Sequence, residues 1–466
     1  MKTVTRLILA ACAVLLPAAA ALADPPTLQQ RLNTAITFAG TNLITTANES
    51  AFYPYSSQFP CYAQPGQSWV TRTPSDWGSG MFPGSFWILA GLTGNSTYAN
   101  YGATWSARVS LSTPPTWGLA WDAYETEYAY NGNATARSNV ITAAQAENAL
   151  YVPLPDSTGH NVGSRGFFYD PTTWNPYSQY SSPTYAATYI DQLLSLQVGL
   201  WTAAQTHNTT MYNNFVTDAR TAHAVLSRGD GSTNHWGYVN TVTGTSTTMQ
   251  YQGYNNSTTW ARGQAWMIRG MSDVAKYAKQ AGDTATENEF LGYAESAANY
   301  WLNSPTLPSD GIPLWDFNAA AHGAPTNRDS SAAAIACSGF IDLSRLVTDP
   351  TLSARYLSAA ELILTSLSTP KDQGGYLDVN SDGTGAGNGI ITQGVYVDSY
   401  SAATGNSGQF SKSVVDNATM IWGDYYYLVA VQDFEQTPEP ATLSLLALGG
   451  LALVGKLARR KTAKRA

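Results

Sequence analysis

Gln280-Ala281-Gly282-Asp283 is a short polar turn between two segments that have the apolar periodicity of α-helices. Four other parts of the chain repeat this order of helix, polar turn and second helix, with Tyr, Thr or Ala near the start of the second helix. Their turns are Leu92-Thr93-Gly94-Asn95, Tyr130-Asn131-Gly132-Asn133, Gln205-Thr206-His207-Asn208 and Leu346-Val347-Thr348-Asp349. The repeat predicts a domain built from helical hairpins.

The hairpins are irregularly spaced and separated by long loops that contain many of the Trp residues. Another hairpin begins with the helix predicted near Leu28 to Leu43. Such hairpins form either an open solenoid or a closed ring, and loops that converge on one place favour the ring. Strand-like pieces are limited to short segments such as Gly237 to Val242 and Gly375 to Val379, which we predict to be hairpins on the rim.

The N-terminal residues 1–23 have the composition of a cleavable signal peptide. Lys2 and Arg6 precede an apolar run from Leu7 to Leu16, and Ala21-Leu22-Ala23 follows it. This order predicts that the protein is exported from the cytoplasm.

The C-terminal residues 437–466 begin with Pro438-Glu439-Pro440, continue with an apolar run from Ala441 to Gly455 and end in a basic cluster. The run is shorter than the roughly 20 residues of a stable transmembrane helix. This order resembles the PEP-CTERM sorting signal of exported Gram-negative proteins, and a plain anchor with a transmembrane helix is the alternative. The resemblance implies an exosortase-type processing enzyme and transient membrane contact through the tail. Residues 24–436 then form the body, in the periplasm, at the cell surface or in the extracellular matrix.

The body is acidic. The chain has 24 Lys and Arg against 32 Asp and Glu, and many of the basic residues lie in the two terminal segments. An acidic surface repels phosphates, which excludes nucleic acid as a partner. Cys61 and Cys337 are the cysteines of the body, and they allow one disulfide but imply no metal cluster.

Two Trp, an Arg and a Gln lie close together in residues 257–266, which read Ser-Thr-Thr-Trp-Ala-Arg-Gly-Gln-Ala-Trp, and Gln252-Gly253-Tyr254 precede them. Indole planes stack on the apolar faces of sugar rings, while amides and a guanidinium bind hydroxyls and a uronate carboxylate. The segment therefore predicts a carbohydrate site.

Asp191 lies near the first turn of a helical stripe that runs from Tyr189 to Leu196. A carboxylate there can complement the helix N-terminus, which contributes about 0.3 to 1 kcal/mol. It can also be a catalytic acid whose pKa is raised by apolar neighbours. The residue pattern leaves both roles open.

Eight segments of the chain resemble, in order, the motifs of glycoside hydrolase family 88, the unsaturated glucuronyl hydrolases. They are Trp77 to Trp87, Tyr189-Ile190-Asp191, Gly229 to His235, Gln252-Gly253-Tyr254, Trp260 to Trp266, Pro313 to Phe317, Arg328 to Ile335 and Ile421 to Leu428.

The resemblance implies an all-α fold, an (α/α)6 barrel of six helical hairpins. It also implies an oligosaccharide substrate that carries a 4,5-unsaturated uronate at its non-reducing end, as polysaccharide lyases produce. In this family an Asp protonates C4 of the vinyl ether, water adds at C5, and the hemiketal collapses to release the sugar. The reaction needs no metal and no cofactor.

Carried over by motif, Asp191 is the acid and base. The substrate-binding residues implied in the same way are Trp77, His235, Gln252, Trp260, Arg262 and Trp266. His235 has a plainer alternative as a loop histidine bonded to the backbone. Arg328 and Asp329 are expected to form a structural ion pair at a helix start, and Trp422-Gly423-Asp424 to close the site by packing.

One family motif is missing. Its second Asp lies in a His-Asp-hydrophobic-Gly-Phe motif, and the corresponding stretch here is Thr116 to Trp121, with Asp122 directly after it. Three explanations remain: Asp122 replaces the missing carboxylate, a different substrate needs one Asp only, or catalysis is lost and sugar binding remains. The alternative functions are an unsaturated rhamnogalacturonyl hydrolase and a non-catalytic carbohydrate-binding protein of the extracellular matrix.

Overall fold

The helices pair into hairpins along almost the whole body. A computed structural model describes residues 25–49, 57–111, 120–154, 165–168, 180, 184–396 and 415–437. In this described part twelve α-helices follow one another, and two short turns of other helix types precede α4 and α6: a π-helical turn at Trp121–Glu125 and a 3₁₀ turn at Ile190–Ser195. The helices are α1 Leu28–Ala47, α2 Met81–Thr93, α3 Ser96–Ser106, α4 Thr126–Asn131, α5 Ala134–Asn148, α6 Leu196–Thr206, α7 Thr209–Leu226, α8 Ala261–Ala281, α9 Thr284–Asn303, α10 Ser330–Leu346, α11 Pro350–Leu367 and α12 Ile421–Glu435.

The even-numbered helices form a closed inner ring. Each packs on the next in the order α2, α4, α6, α8, α10 and α12, and α12 packs back on α2. The odd-numbered helices lie outside this ring. The expected (α/α)6 barrel is therefore confirmed, and the open solenoid is excluded.

All five predicted turns lie between two helices. In four of them a residue with left-handed backbone ends the first helix, and the next residue caps the second helix by accepting a backbone N–H on its side chain. The left-handed residues are Gly94, Gly132, His207 and Gly282, and the capping residues are Asn95, Asn133, Asn208 and Asp283. In the fifth turn Asp349 caps α11 directly before Pro350. Local backbone chemistry thus explains why these segments fold as hairpins.

The described strands form three small sheets beside the barrel. The first pairs β2 (Val70–Arg72) with β1 (Phe59–Ala63) and β1 with β8 (Thr419–Met420), and the second pairs β3 (Tyr151–Pro153) with β4 (Gly166–Phe168). The third has the antiparallel order β5 (Tyr185–Tyr189), β6 (Trp236–Asn240) and β7 (Ser246–Met249).

The two strand predictions had different outcomes. The prediction at Gly237 to Val242 is confirmed by β6. The prediction at Gly375 to Val379 is wrong, because Leu377 makes only isolated bridges, to Pro370 and Ile391.

Three further expectations concern the cysteines and the ends of the chain. Cys61 and Cys337 are both free and buried, so the disulfide that the sequence allowed is absent. None of the described helices combines the length and hydropathy needed to cross a membrane. The predicted signal peptide and nearly all of the predicted tail lie outside the described residues.

Candidate active site

Antiparallel pairing of β5 and β6 brings Asp191 and His235 together. Tyr189 pairs with Trp236 at the end of the ladder, and the Ile190 N–H donates to the His235 carbonyl oxygen at 2.9 Å. The chain turns from β5 directly into the 3₁₀ turn that contains Asp191. The Asp191 carboxylate and the His235 imidazole therefore lie at the same end of the β5–β6 strand pair.

Asp191 and His235 form a hydrogen bond whose direction follows from its surroundings. Asp191 Oδ2 lies 3.0 Å from His235 Nε2, and His235 Nδ1 accepts the Gln252 backbone N–H at 3.1 Å. Because a backbone N–H can only donate, Nδ1 carries no proton, and the neutral ring holds its proton on Nε2. Nε2–H then donates to Oδ2, which leaves Oδ1 as the oxygen that can exchange a proton with a bound molecule. The Asp191 side chain is 25% exposed and that of His235 only 2%.

A row of stacked side chains extends from His235. The imidazole lies on the Trp260 indole with ring centroids 4.5 Å apart. The Arg262 Cζ atom lies 4.4 Å from the Trp260 ring and 5.3 Å from that of Trp422. Trp77 is 5.1 Å from Trp422 and only partly buried. We call His235, Trp260, Arg262, Trp422 and Trp77 the aromatic row.

The Arg262 guanidinium donates hydrogen bonds to other groups of the protein. Its Nη1 lies 3.4 Å from Asp329 Oδ2, and its guanidinium donates to the carbonyl oxygens of Val395 and Tyr396. Burial lowers the pKa of Arg262, and the carboxylates of Asp329 and Asp191 act against that shift. The side chain is 3% exposed. Its charge therefore acts on Asp191, whereas its contact with a substrate stays a prediction.

Residues 395 and 396 form a contact point that the residue pattern does not predict. The Tyr396 carbonyl also accepts a hydrogen bond from Gln252 Nε2 at 2.9 Å. The Tyr396 ring packs on Trp422 and Tyr62. Tyr62 belongs to β1, so the first sheet reaches the site here. Carbonyl acceptors have no sequence signal, and nothing in the residue pattern could have indicated them.

Trp266 and Asp122 lie deeper in the barrel. Trp266 is one helical turn beyond Arg262, is 1% exposed and packs edge to face on Tyr426 at 5.2 Å. Its predicted stacking on a sugar is not tested by these contacts, but the indole is covered in this structure. Arg262 and Trp266, one helical turn apart on α8, are thus both covered.

Asp122 is fully buried in the π-helical turn. Burial raises its pKa well above the ordinary value, and a hydrogen bond from Tyr425 acts to lower it. Among the described residues, no hydrogen bond or ion pair joins Asp122 to Asp191 or His235. Its role as the replacement carboxylate stays a prediction, and Thr116 to Leu119 lie outside the described residues.

The expected ion pair between Arg328 and Asp329 is wrong. Asp329 caps α10 by accepting the N–H groups of Ser331 and Ala332, and it faces Arg262. Arg328 instead pairs with Asp310 at 2.9 Å. A helix cap turns the Asp side chain toward its own helix, away from the preceding residue.

Packing by residues 422–424 agrees with the prediction for them. Trp422 is fully buried between Trp77 and Arg262, and its Nε1 donates to Ser331 Oγ at 3.1 Å. Asp424 accepts the N–H groups of Ile390 and Ile391, and burial raises its pKa to about 8.

Arg228 joins the two loops that carry His235 and Trp260. Its guanidinium donates to the Asn234 side chain at 2.7 Å, next to His235. It also donates to Thr259 Oγ1 at 3.1 Å and to the Thr258 carbonyl at 2.9 Å, next to Trp260. Arg228 precedes the matched motif Gly229 to His235, and its role was not predicted.

The chain is similar to known proteins in both sequence and fold. An unsaturated glucuronyl hydrolase of Formosa agariphila is 27% identical over 391 residues, which cover 82% of this chain and 86% of the relative. That of a Bacillus species is 26% identical over 385 residues, or 82% and 92%. The chain is homologous to unsaturated glucuronyl hydrolases. An unsaturated chondroitin disaccharide hydrolase of Streptococcus pyogenes is 24% identical over 393 residues, or 83% and 88%.

Solved structures of unsaturated glucuronyl hydrolases have the same fold. One specific for heparin aligns with a TM-score of 0.69 at 23% identity and covers 87% of this chain and 97% of its own. The Bacillus enzyme aligns with a TM-score of 0.67 at 24% identity, with 88% and 97% covered. Separately, residues 436–461 match the PEP-CTERM protein-sorting motif.

The geometry is suited to proton transfer at a sugar ring. Asp191 is a partly exposed carboxylate with one oxygen fixed by an imidazole N–H and the other available. Asp329, the other carboxylate beside Arg262, is fully buried as a helix cap. Hydrolysis by two carboxylates that flank the glycosidic bond needs both to reach the substrate. The described cluster instead offers one carboxylate that can act as acid and then as base.

Proposed function

We propose that the chain is a glycoside hydrolase that removes a 4,5-unsaturated uronate from the non-reducing end of oligosaccharides made by lyases. The observation that carries the proposal is the hydrogen-bonded pair of Asp191 and His235, which lie in two of the segments that resemble motifs of the unsaturated glucuronyl hydrolases. The relatives extend over about four fifths of the chain, which supports a shared reaction.

The first step is protonation of the double bond. Asp191 Oδ1 gives its proton to C4, and the π electrons of the C4–C5 bond form the new C–H bond. The positive charge that develops is shared by C5 and the ring oxygen. A carboxylate is left on Asp191, stabilised by Nε2–H of His235 and by the charge of Arg262.

The second step adds water at C5. The Asp191 carboxylate takes a proton from water as the water oxygen bonds to C5, so Asp191 returns to its starting form. The resulting hemiketal breaks its bond to the ring oxygen, and the hemiacetal left at C1 then releases the remaining sugar. One water is consumed, and the glycosidic carbon is never attacked by the protein.

The aromatic row supports binding of the sugar ring. Trp77 is partly exposed and can stack on an apolar ring face, whereas Trp260 and Gln252 are 2% and 8% exposed, so their contact with the sugar stays a prediction. Because the body is acidic, an anionic substrate depends on local positive charge, and Arg262 provides it within the row.

The PEP-CTERM motif at residues 436–461 supports export. We propose that the protein reaches the outside of the inner membrane of a Gram-negative bacterium and that an exosortase-type enzyme processes its tail. A mass measurement of the protein from its native host tests this, because processing would remove part of the tail at residues 437–466.

The decisive experiment is a panel of lyase digests of chondroitin, gellan, xanthan and rhamnogalacturonan. The purified protein should remove the ultraviolet absorbance of the unsaturated uronate in at least one digest, and the Asp191→Asn variant should not. Activity only on the rhamnogalacturonan digest would identify the related rhamnogalacturonyl hydrolase. Tight binding of the oligosaccharides without loss of absorbance would identify a carbohydrate-binding protein and overturn the proposal.

A further inference from the structure

Gln192, the residue after Asp191, anchors the 3₁₀ turn in the barrel wall. It is 4% exposed, and its Nε2 donates to Asp218 Oδ1 at 3.1 Å. Asp218 lies within α7 and is 1% exposed, and the same Oδ1 accepts the Phe168 N–H at 3.2 Å. The turn that presents Asp191 is therefore tied to α7 and to β4 through one carboxyl group.

The remaining oxygens of this contact are both buried acceptors. Gln192 Oε1 and Asp218 Oδ2 have no hydrogen-bond partner in the described part of the chain. An amide oxygen and an ionised carboxylate oxygen cannot form a hydrogen bond with each other, since neither carries a proton. A protonated carboxyl group changes this, because it donates from one oxygen and accepts on the other and so matches a side-chain amide at two points.

We propose that Asp218 is a positioning residue that acts in its protonated form. Its Oδ2–H donates to Gln192 Oε1 while its Oδ1 accepts from Gln192 Nε2, and this two-point pair holds the turn that presents Asp191. The inference rests on the proposed function for its kinetic consequence, but the pair itself does not depend on it.

The charges around Asp218 agree with a neutral group. Burial raises the pKa of Asp218 to about 7, against the Phe168 N–H, which lowers it. Within the described residues no Lys, Arg or His lies at ion-pair distance from Asp218. The titratable group that faces it from β3 is the Tyr151 phenol, whose own pKa is raised by burial and further by Asp218. On its own turn, Asp191 points to His235 instead.

A raised pKa makes the pair sensitive to pH in one direction. The carboxyl group of an unfolded chain ionises near its ordinary value of 3.8, whereas the folded protein keeps the proton until about pH 7. The stabilisation is therefore complete below about pH 4 and is lost as the pH rises to about 7. Above that pH, Oδ2 is an anion beside the Gln192 oxygen, and the hold on the turn weakens.

Two substitutions separate the protonated pair from ordinary packing. Asp218→Asn keeps an acceptor at one position and places an N–H donor at the other at every pH, so it should preserve the pair. Asp218→Leu has similar size but leaves the Gln192 amide and the Phe168 N–H without partners. The exposed Asp382→Asn serves as the matched control, since its carboxylate bonds only to Thr384 two residues away.

Thermal unfolding from pH 4 to pH 9 tests the pair without a substrate. We expect Asp218→Asn to unfold at a temperature close to that of the wild type at pH 4 and at a higher temperature above pH 7, whereas Asp382→Asn should give no rise with pH. An Asp218→Asn variant that is destabilised by the same amount at every pH would overturn the proposal. So would an Asp218→Asn variant as unstable as Asp218→Leu.

The pH dependence of kcat tests the positioning role. Above pH 7, kcat of the Asp218→Asn variant should exceed kcat of the wild type by at least about threefold. The Asp218→Leu variant should have a kcat about tenfold lower at all pH values, because small displacements of a catalytic group are costly. KM should change little in either variant. Wild type and Asp218→Asn with identical pH profiles would refute positioning. A wild type inactive on every digest would refute the proposed function, while the unfolding data would still decide the pair.

Discussion

Helix α8 carries one charged group at its start and another in its middle, and the two groups are built in opposite ways. At its start, Arg262 has one carboxylate partner, two carbonyl acceptors and two indole faces. About 10 Å further along, at 1.5 Å per residue, Arg269 is surrounded by three carboxylates. They belong to Asp273, Asp342 and Asp433.

The second group, which we call the lower ion cluster, also includes Lys276, whose Nζ lies 2.9 Å from Asp342 Oδ2. Burial acts to lower the pKa of Arg269, but the three carboxylates raise it well above the ordinary value. Its two cations and three carboxylates lie on α8, α10 and α12, so the cluster joins three inner helices. The start of α8 instead borders the partly exposed Asp191. One helix thus supports rigidity in its middle and chemistry at its start.

The largest expected effect is on catalysis at the Asp191 end. Asp191→Asn keeps the shape of the side chain but removes the acid and base, so kcat should fall by about 10² to 10⁴. Its side chain is partly exposed, so the free energy of unfolding should change by less than about 0.5 kcal/mol. Kinetics on the accepted lyase digest and denaturant unfolding check the two parts. A variant with normal kcat would contradict the assignment.

Arg269→Met should give the reverse result. Three carboxylates lose their central cation, and breaking a buried ionic contact costs about 3 to 5 kcal/mol of unfolding free energy. Rates per folded molecule should stay near the wild type, measured at a temperature where the variant is folded. If kcat falls as far as in Asp191→Asn, the start and the middle of α8 do not act independently.

A matched pair of substitutions at His235 tests the tautomer. His235→Gln keeps a donor near Asp191 but loses the acceptor for the Gln252 N–H, whereas His235→Asn keeps that acceptor and loses the donor. We expect kcat to fall about tenfold in the first and about a hundredfold in the second, in the range of a lost charge-assisted hydrogen bond. Equal losses would show that the proton on Nε2 is unimportant.

The smallest effect is expected at Arg228. Arg228→Lys keeps the charge but has three donors on one nitrogen, which cannot reach the spread of acceptors on both loops. The loops with His235 and Trp260 should loosen, which lowers kcat/KM several-fold, by about 1 kcal/mol for a lost pair of hydrogen bonds. Arg137→Lys is the control, because Arg137 is half-buried and donates to a single carbonyl, that of Gln205. Unchanged kcat/KM in Arg228→Lys would exclude the positioning role.

The hairpins could be predicted from the sequence because their signals are local. Gly282 followed by Asp283 sets a left-handed helix end and the next cap within two residues. Closure of the ring depends on contacts between α12 and α2, which no local pattern contains. Here the convergence of loops and the family resemblance supplied the prediction.

The site could be predicted only in part. Asp191 followed from the matched motifs, and its pairing with His235 depends on the register of β5 and β6, which the residue pattern did not fix. Arg328 was paired with its neighbour because adjacency is visible in sequence, whereas Asp310 comes near only through folding. The cover over Arg262 comes from residues 395 and 396, more than a hundred positions away.

Helix α12 begins beside the aromatic row at Trp422 and ends at Glu435, about 20 Å away at 1.5 Å per residue. Glu435 also contacts the first helix, α1, since its Oε1 accepts a hydrogen bond from Gln29 Nε2 at 2.7 Å. Both ends of the body are thus on the side of the barrel away from Asp191. If the C-terminal tail attaches the protein to a surface, the Glu435 end of the barrel would lie toward that surface. The end that contains Asp191 and the aromatic row would then face the surrounding solution, from which oligosaccharides arrive.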